Sequence, residues 1–451
     1  MASNTLSSGS QGQLQAGVAK ANITPAVGAW LAGYDRDQPS QGVHDELYGE
    51  ALVLADRRSR LAILSVDLIA LGQDFVKRAR QRIYDVTGIP PSHVLLAASH
   101  THAGPVLQRL EMFEEPDPHY LAELEMRLAG AVYVANNHLQ EATLGMGTGR
   151  VGFNVNRRLV TPDGVVMRPN LEGPVDHTVG VIRVDGPHGE PLAVLMHYAC
   201  HATAFGSSNL LISADFPGAA RHFVEQIYGP GCTAMFLQGC SGDVRPHVTD
   251  ADGLFRGGTS REVLSLGRIL GAEVVRVCEE IRTRDARLAA GSQQVALPFQ
   301  SPPSRAELAS LVESLEGRST LTNDAKLDLV WARWLLSQME AGTIPHSLQV
   351  EIQVARLGQV YLVALPGEAF VEIGRRVQAA LDSPTFVIGC ANGVRGYLPT
   401  AAAHRQRGRN YEVNVAYKAG HTPAPLVPEA EDLLVEAACS LAAELHKEDK
   451  P

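Results

Sequence analysis

Five short apolar runs in this chain each end in polar residues beside glycine or proline, and this arrangement restricts the possible folds more than any other feature. Val94–Ala98 leads to His100 and His102. Residues 192–196 lead to His201, 233–237 to Asp243, 360–365 to Glu368, and 386–389 to Tyr397. Apolar runs of this length, bounded by such breaks, read as buried strands. Stretches of helical spacing lie between them, at 75–87, 120–136, 215–228, 260–284, 369–381 and 429–446. Strands alternating with helices predict an α/β (mixed α+β) chain of mixed β-sheets packed together and covered by helices. In such folds functional groups collect at the carboxyl ends of strands, so an active site is expected there.

The remaining sequence adds detail to this plan. Residues 52–55 and 61–67 flank the charged turn Asp56-Arg57-Arg58-Ser59-Arg60 and predict a hairpin. Asp215 and Pro217 suit the start of a helix running to Tyr228. Residues 301–341 are helix-rich and more charged, and are expected to form a helical insertion or lid. No internal repeat is visible. Residues 1–16 are rich in Ser, Gly and Gln and are expected to form a disordered tail before a catalytic domain over 17–446.

A net charge of −10 and a pI near 5.9 argue against nucleic acid as a partner. No apolar run approaches the roughly 20 residues of a membrane span, and no basic amphipathic helix suggests membrane docking. The N-terminus has neither a basic nor an apolar signal region. A cytoplasmic location is therefore expected, with secretion open if a signal was removed. Six cysteines are scattered without C-x-x-C spacing, so no disulfide framework is expected. Homo-oligomerisation stays open.

Ser99-His100-Thr101-His102-Ala103-Gly104-Pro105 holds the densest chemistry. If this stretch is extended, the two imidazoles point to one side, because strand side chains alternate. Two histidines, a carboxylate and further oxygen donors converging from different strands compose the donor set of a catalytic zinc site. Taken singly, each residue also has an ordinary structural reading. Glu368 could be a helix N-terminal acid, Asp243 a turn residue and Tyr397 a wet interfacial aromatic.

The ordered set of motifs resembles the neutral (non-lysosomal) ceramidases, in their catalytic domain, from about Gly17 to about His421. The motifs are Asn22-Ile23-Thr24-Pro25, Gly42-Val43-His44-Asp45, Ser65-Val66-Asp67, His100-Thr101-His102-Ala103-Gly104-Pro105, Asn156-Arg157, His201-Ala202-Thr203, Gly242-Asp243-Val244, Pro366-Gly367-Glu368 and Gly396-Tyr397. The resemblance implies a single Zn²⁺ held by His100, His201, Glu368 and Tyr397. It implies His102 as proton shuttle and Arg157 lining the site, with Asn156 beside it as a substrate contact. The implied reaction is hydrolysis of an N-acyl, ceramide-like amide bond. Zinc with such ligands lowers the pKa of a bound water from 15.7 to roughly 7 and polarises a carbonyl. Tyr397 would stabilise the oxyanion. Asp215 and Asp243 are candidates for orienting a ligand imidazole, with helix cap and turn as their alternatives.

The chain departs from the family pattern in three places. Arg245 stands where ceramidases carry a serine, and a fixed cation there would favour an anionic or polar substrate group. The sequence leaves no room for the family's C-terminal β-sandwich domain, and it shows no export signal. The same centre acting on an ester, a lactone or a small polar amide is the alternative reading, and a non-catalytic family member is a third.

Overall fold

The structure, a computed structural model, describes residues 14–108 and 114–447. Residues 1–13 of the expected tail lie outside the described residues, whereas Gln15 and Ala16 already belong to the first strand, Gln15–Asn22.

One plan is built three times. In the first unit Gln15–Asn22, Tyr48–Ala55 and Arg60–Val66 form an antiparallel meander. The helix Gln73–Thr87 crosses over, Val94–Ala98 returns parallel to Arg60–Val66, and the helix Pro118–Asn137 follows. In the second unit the meander is Thr143–Arg150, Thr178–Asp185 and Pro191–Tyr198, the crossover helix is Asp215–Tyr228, the parallel strand is Thr233–Gln238 and the closing helix is Ser260–Glu280. In the third the order is Leu288–Pro298, Ser347–Leu357, Val360–Ala364, helix Val371–Ala380, parallel strand Thr385–Ile388 and helix Ala430–Lys447. Each sheet thus carries its parallel strand on one edge. The sequence shows no repeat because only the in-and-out burial pattern has to recur. Hydrophobic positions of similar volume tolerate exchange without loss of fold.

The three parallel edge strands meet at the centre. Ala98 N donates to Cys390 O at 3.1 Å and Gly389 N to Gln238 O at 2.9 Å. The inward faces share one core, including Leu54, Ile63, Leu95, Leu195, Leu237, Leu362 and Ile388. The outward faces are covered by the helix pairs, through Phe75 and Leu128, Phe216 and Leu270, and Ile373 and Leu441. Strands buried on both faces read as unbroken apolar runs, which is why they stand out in the sequence. The predicted hairpin forms with Ala55 opposite Arg60. Among the described residues no helix is long and apolar enough to cross a membrane.

The helix-rich stretch is an insertion between the first two strands of the third unit. It is a hairpin of Arg305–Glu316 and Asn323–Ala341, opened by a reciprocal Ser304–Glu307 cap and closed around Leu308, Trp331 and Leu335.

Candidate active site

The strand Val94–Ala98 stops before the two histidines, so strand alternation does not align them. His100 instead takes a left-handed backbone (φ 64°), with its N–H on the Leu68 carbonyl at 2.9 Å. The turn still brings the rings together: His100 Nε2 and His102 Nε2 are 3.4 Å apart. The His102 N–H donates to the Ala202 carbonyl at 3.2 Å, tying this loop to the one that carries His201.

All three imidazoles are oriented alike. Nδ1 faces the Ile69 carbonyl at 2.6 Å in His100, the Gly33 carbonyl at 3.2 Å in His102 and the Ser241 carbonyl at 2.6 Å in His201. A carbonyl only accepts, so Nδ1 carries a proton in each ring and each Nε2 faces inward. The three ligand nitrogens lie within 4.8 Å of one another and could hold a metal ion.

Glu368 and Tyr397 arrive from the third unit. They sit opposite each other in a two-residue parallel pair, Glu368–Ala369 with Tyr397–Leu398, joined by Glu368 N to Gly396 O at 2.9 Å. This pairing delays the helix expected from 369 until Val371. Glu368 Oε2 stands 3.1 Å from His201 Nε2 and 3.4 Å from His100 Nε2.

The buried groups share charge. Burial opposes a charge on Glu368, yet His100 and His201 hold it well below the usual carboxylate range. Burial also opposes a charge on His100, but the Cys390 thiol and Glu368 outweigh it and push its pKa up. Burial, then Arg157 and His100, bring His201 down to about 3. Burial and the other two imidazoles keep His102 neutral.

Arg157 runs behind the cluster. Its Nε pairs with Glu412 at 3.2 Å, Nη1 lies 3.4 Å from His201 Nε2, and Nη2 donates to the Tyr397 hydroxyl at 3.0 Å. A cavity of about 440 Å³ opens over His100, His102, Glu368 and Tyr397, walled by Ile69, Val106, Leu107, Val394, Tyr411 and Tyr417. A larger cavity of about 600 Å³, lined by Arg282, Arg284 and Arg287, contains no imidazole or thiol.

Three expected roles are corrected. Asp215 and Asp243 do not orient the imidazoles; backbone carbonyls do. Asp215 accepts from the amides of Ala204, Phe205 and Phe216 at 2.7–3.2 Å, which fixes the loop after His201. Asp243 accepts from Val371 N at 2.9 Å and caps the helix that follows Glu368. Asn156 is 2% exposed and spends both amide hydrogens inside the protein, which turns it away from a substrate. Its amide donates to Pro174 O and Asp243, and its oxygen accepts from Arg158 N. Arg245 lies close to the cluster but outside the cavity wall.

Sequence reasoning missed Arg36, which donates to the carbonyls of Leu31, Ala32, His102 and Asn209 at 2.9–3.2 Å. It also missed Tyr34, whose ring is 5.0 Å from that of His102. Their only signal was the Gly-rich loop from Gly28 to Gly42.

The fold and site together define an α/β protein with a metal-competent histidine–carboxylate centre at its strand ends. Residues 14–259 match the family described as neutral/alkaline non-lysosomal ceramidase, N-terminal, and the chain belongs to that family. Neutral ceramidase B of Dictyostelium discoideum is 28% identical over 238 residues, 48% of this chain and 33% of that protein. The neutral ceramidase of Mycobacterium tuberculosis is 27% identical over 264 residues, 52% of this chain and 40% of that protein. The matches thus span about a third to two fifths of these relatives. The crystal structure of neutral ceramidase from Pseudomonas aeruginosa aligns with a TM-score of 0.71 at 21% identity, covering 97% of this chain and 75% of that one, and shares its fold.

Proposed function

We propose that this protein is a zinc-dependent hydrolase of amide bonds, with an N-acylated amine as substrate. The observation that carries the reading is the convergence of His100 Nε2, His201 Nε2 and Glu368 Oε2 at separations of 3.1 and 3.4 Å. Zinc bonds of about 2.0–2.1 Å in a tetrahedron put ligand atoms roughly 3.3–3.4 Å apart. The donors are two imidazoles and a carboxylate, with the Tyr397 phenol beside them, and they fit the ion in number and chemistry.

Zinc, when bound by His100, His201 and Glu368 with Tyr397 beside them, would supply an acidified water and a Lewis acid for the carbonyl. The rest falls to the chain. The Gly33 carbonyl engages the His102 Nδ1–H, so Nε2 is the nitrogen that takes a proton from water and returns it to the leaving amine. Arg157 holds the Tyr397 oxygen as an acceptor, which leaves the phenol proton free for the developing oxyanion. The apolar cavity walls receive the acyl chain and exclude water around the reacting bond.

The test is metal analysis beside hydrolysis of N-octanoylethanolamine. About one zinc per chain is expected, with activity lost on chelation and restored by Zn²⁺. A metal-free preparation that remains fully active would overturn the reading.

A further inference from the structure

Arg245 is a buried guanidinium with unspent bonding capacity. It is 8% exposed, donates from Nη2 to the Thr203 carbonyl at 3.3 Å and lies 4.4 Å over the Phe255 ring. Its Nε has no hydrogen-bond partner among the described residues, and it makes no ion pair there. Four other buried arginines face carboxylates: Arg157 and Arg158 share Glu412, Arg80 pairs with Glu351, and Arg221 lies between Glu50 and Asp67. Arg36, equally buried, is instead satisfied by four backbone carbonyls, whereas Arg245 has one. The acid nearest in influence to Arg245, Asp215, has its oxygens committed to three backbone amides. Burying a cation without a counter-charge is costly, and a ligand that brings the missing charge removes that cost.

The surroundings point the same way. The residue whose backbone carbonyl accepts from Arg245, Thr203, is 3% exposed, and its Oγ1 also lacks a hydrogen-bond partner among the described residues. The Tyr34 ring packs 5.0 Å from that of His102. Val244, the residue before Arg245, accepts the His201 N–H at 3.1 Å. Arg245 therefore flanks the metal-competent centre on the His201 side. The apolar cavity opens on the Glu368 and Tyr397 side.

We propose that Arg245 and Thr203 bind a carboxylate on the amine half of the substrate, so that the chain acts on N-acylated amino acids in preference to neutral N-acyl amines. The planar fork of a guanidinium matches a carboxylate, and the Thr203 hydroxyl adds a third donor. This inference rests on the amide-hydrolase reading for its reaction but not for its binding step.

The experiment compares N-octanoylglycine with N-octanoylethanolamine on the full metal-loaded chain, in wild type, R245Q and R245K. Hydrolysis is read as the ratio of kcat/KM between the two compounds. Binding is read separately, from the ligand-dependent rise in Tm. The wild type is expected to favour the glycine conjugate by roughly ten- to hundredfold, mainly through KM. R245Q should bring the ratio near one, and R245K should keep part of it. A purely structural Arg245 would lower the ligand-free Tm of R245Q and leave the ratio unchanged, which overturns the proposal. Equal binding of both compounds by wild type also overturns it, whether or not R245Q folds. Preferential binding of the glycine conjugate that is lost in R245Q, with neither compound cleaved, supports the carboxylate subsite and sinks the hydrolase reading instead.

Discussion

The Arg157 guanidinium donates to the Tyr397 hydroxyl at 3.0 Å. Burial pushes the Tyr397 pKa well up, and Arg157 opposes that rise without reversing it. The phenol is aimed by a cation that is itself fixed by Glu412.

Removing only the phenol oxygen isolates its role. Tyr397→Phe should lower kcat on N-octanoylethanolamine by roughly 10²–10³, with KM changed only a few-fold, because the lost bond is made mostly in the transition state. Steady-state kinetics read this directly. Unchanged kcat would remove Tyr397 from the reaction.

His102 and His100 are separable by metal content. His100→Ala should lose both zinc and activity. His102→Gln should keep its zinc and lose roughly 10²–10⁴ in kcat, the usual contribution of general acid–base catalysis. Elemental analysis of the two variants decides: equal metal loss would make His102 a ligand in place of a shuttle.

The inserted hairpin braces the cavity wall from outside. Trp331 Nε1 donates to Thr422 O at 2.8 Å, Asp328 pairs with Lys418 at 2.5 Å, and Trp334 stacks on His421 with ring centroids 4.9 Å apart. Tyr417 and His421 line the cavity itself. Trp331→Phe should cost about 1 kcal/mol of stability for the lost hydrogen bond. It should raise KM for long acyl chains several-fold and leave kcat nearly constant. A chain-length series in wild type and variant tests this expectation; an unaltered series would show that the hairpin does not shape the cavity.

Stability should carry a pH signature from Asp243. Burial pushes its carboxyl up to about 7, against the opposing Val371 N–H and the cations of Arg158 and Arg157. The folded state therefore holds a proton that the unfolded state, with a pKa near 3.8, has released. This contribution is fully present below pH 4 and is lost as pH rises through about 7. Asp243→Asn cannot ionise, so wild type should lose stability relative to it between pH 4 and 8. Urea unfolding across that range should show the gap changing; a constant offset would refute the assignment.

Much of the centre was legible as local pattern. His100, His201, Glu368 and Tyr397 each follow an apolar strand and a break, and the structure brings His100, His201 and Glu368 within 3.4 Å contacts, with Tyr397 paired beside Glu368. Asp243 and Asp215 looked like imidazole partners because carboxylates often are. Here the carbonyls of Ile69, Gly33 and Ser241 do that work. A backbone acceptor leaves no trace in residue identity, so no sequence pattern announces it.

The sequence alone determined which strands would be buried, where they would stop and which polar side chains would stand at their ends, because burial and chain-breaking act over a few residues. The tertiary structure alone decided that three units of one topology would meet edge to edge, with Ala98 on Cys390 and Gly389 on Gln238. It also decided that Arg157 would reach Tyr397 across 240 residues of chain and that Arg245 would be buried with no ion pair among the described residues. These depend on contacts between distant segments, whose energies exist only once the sheets have packed.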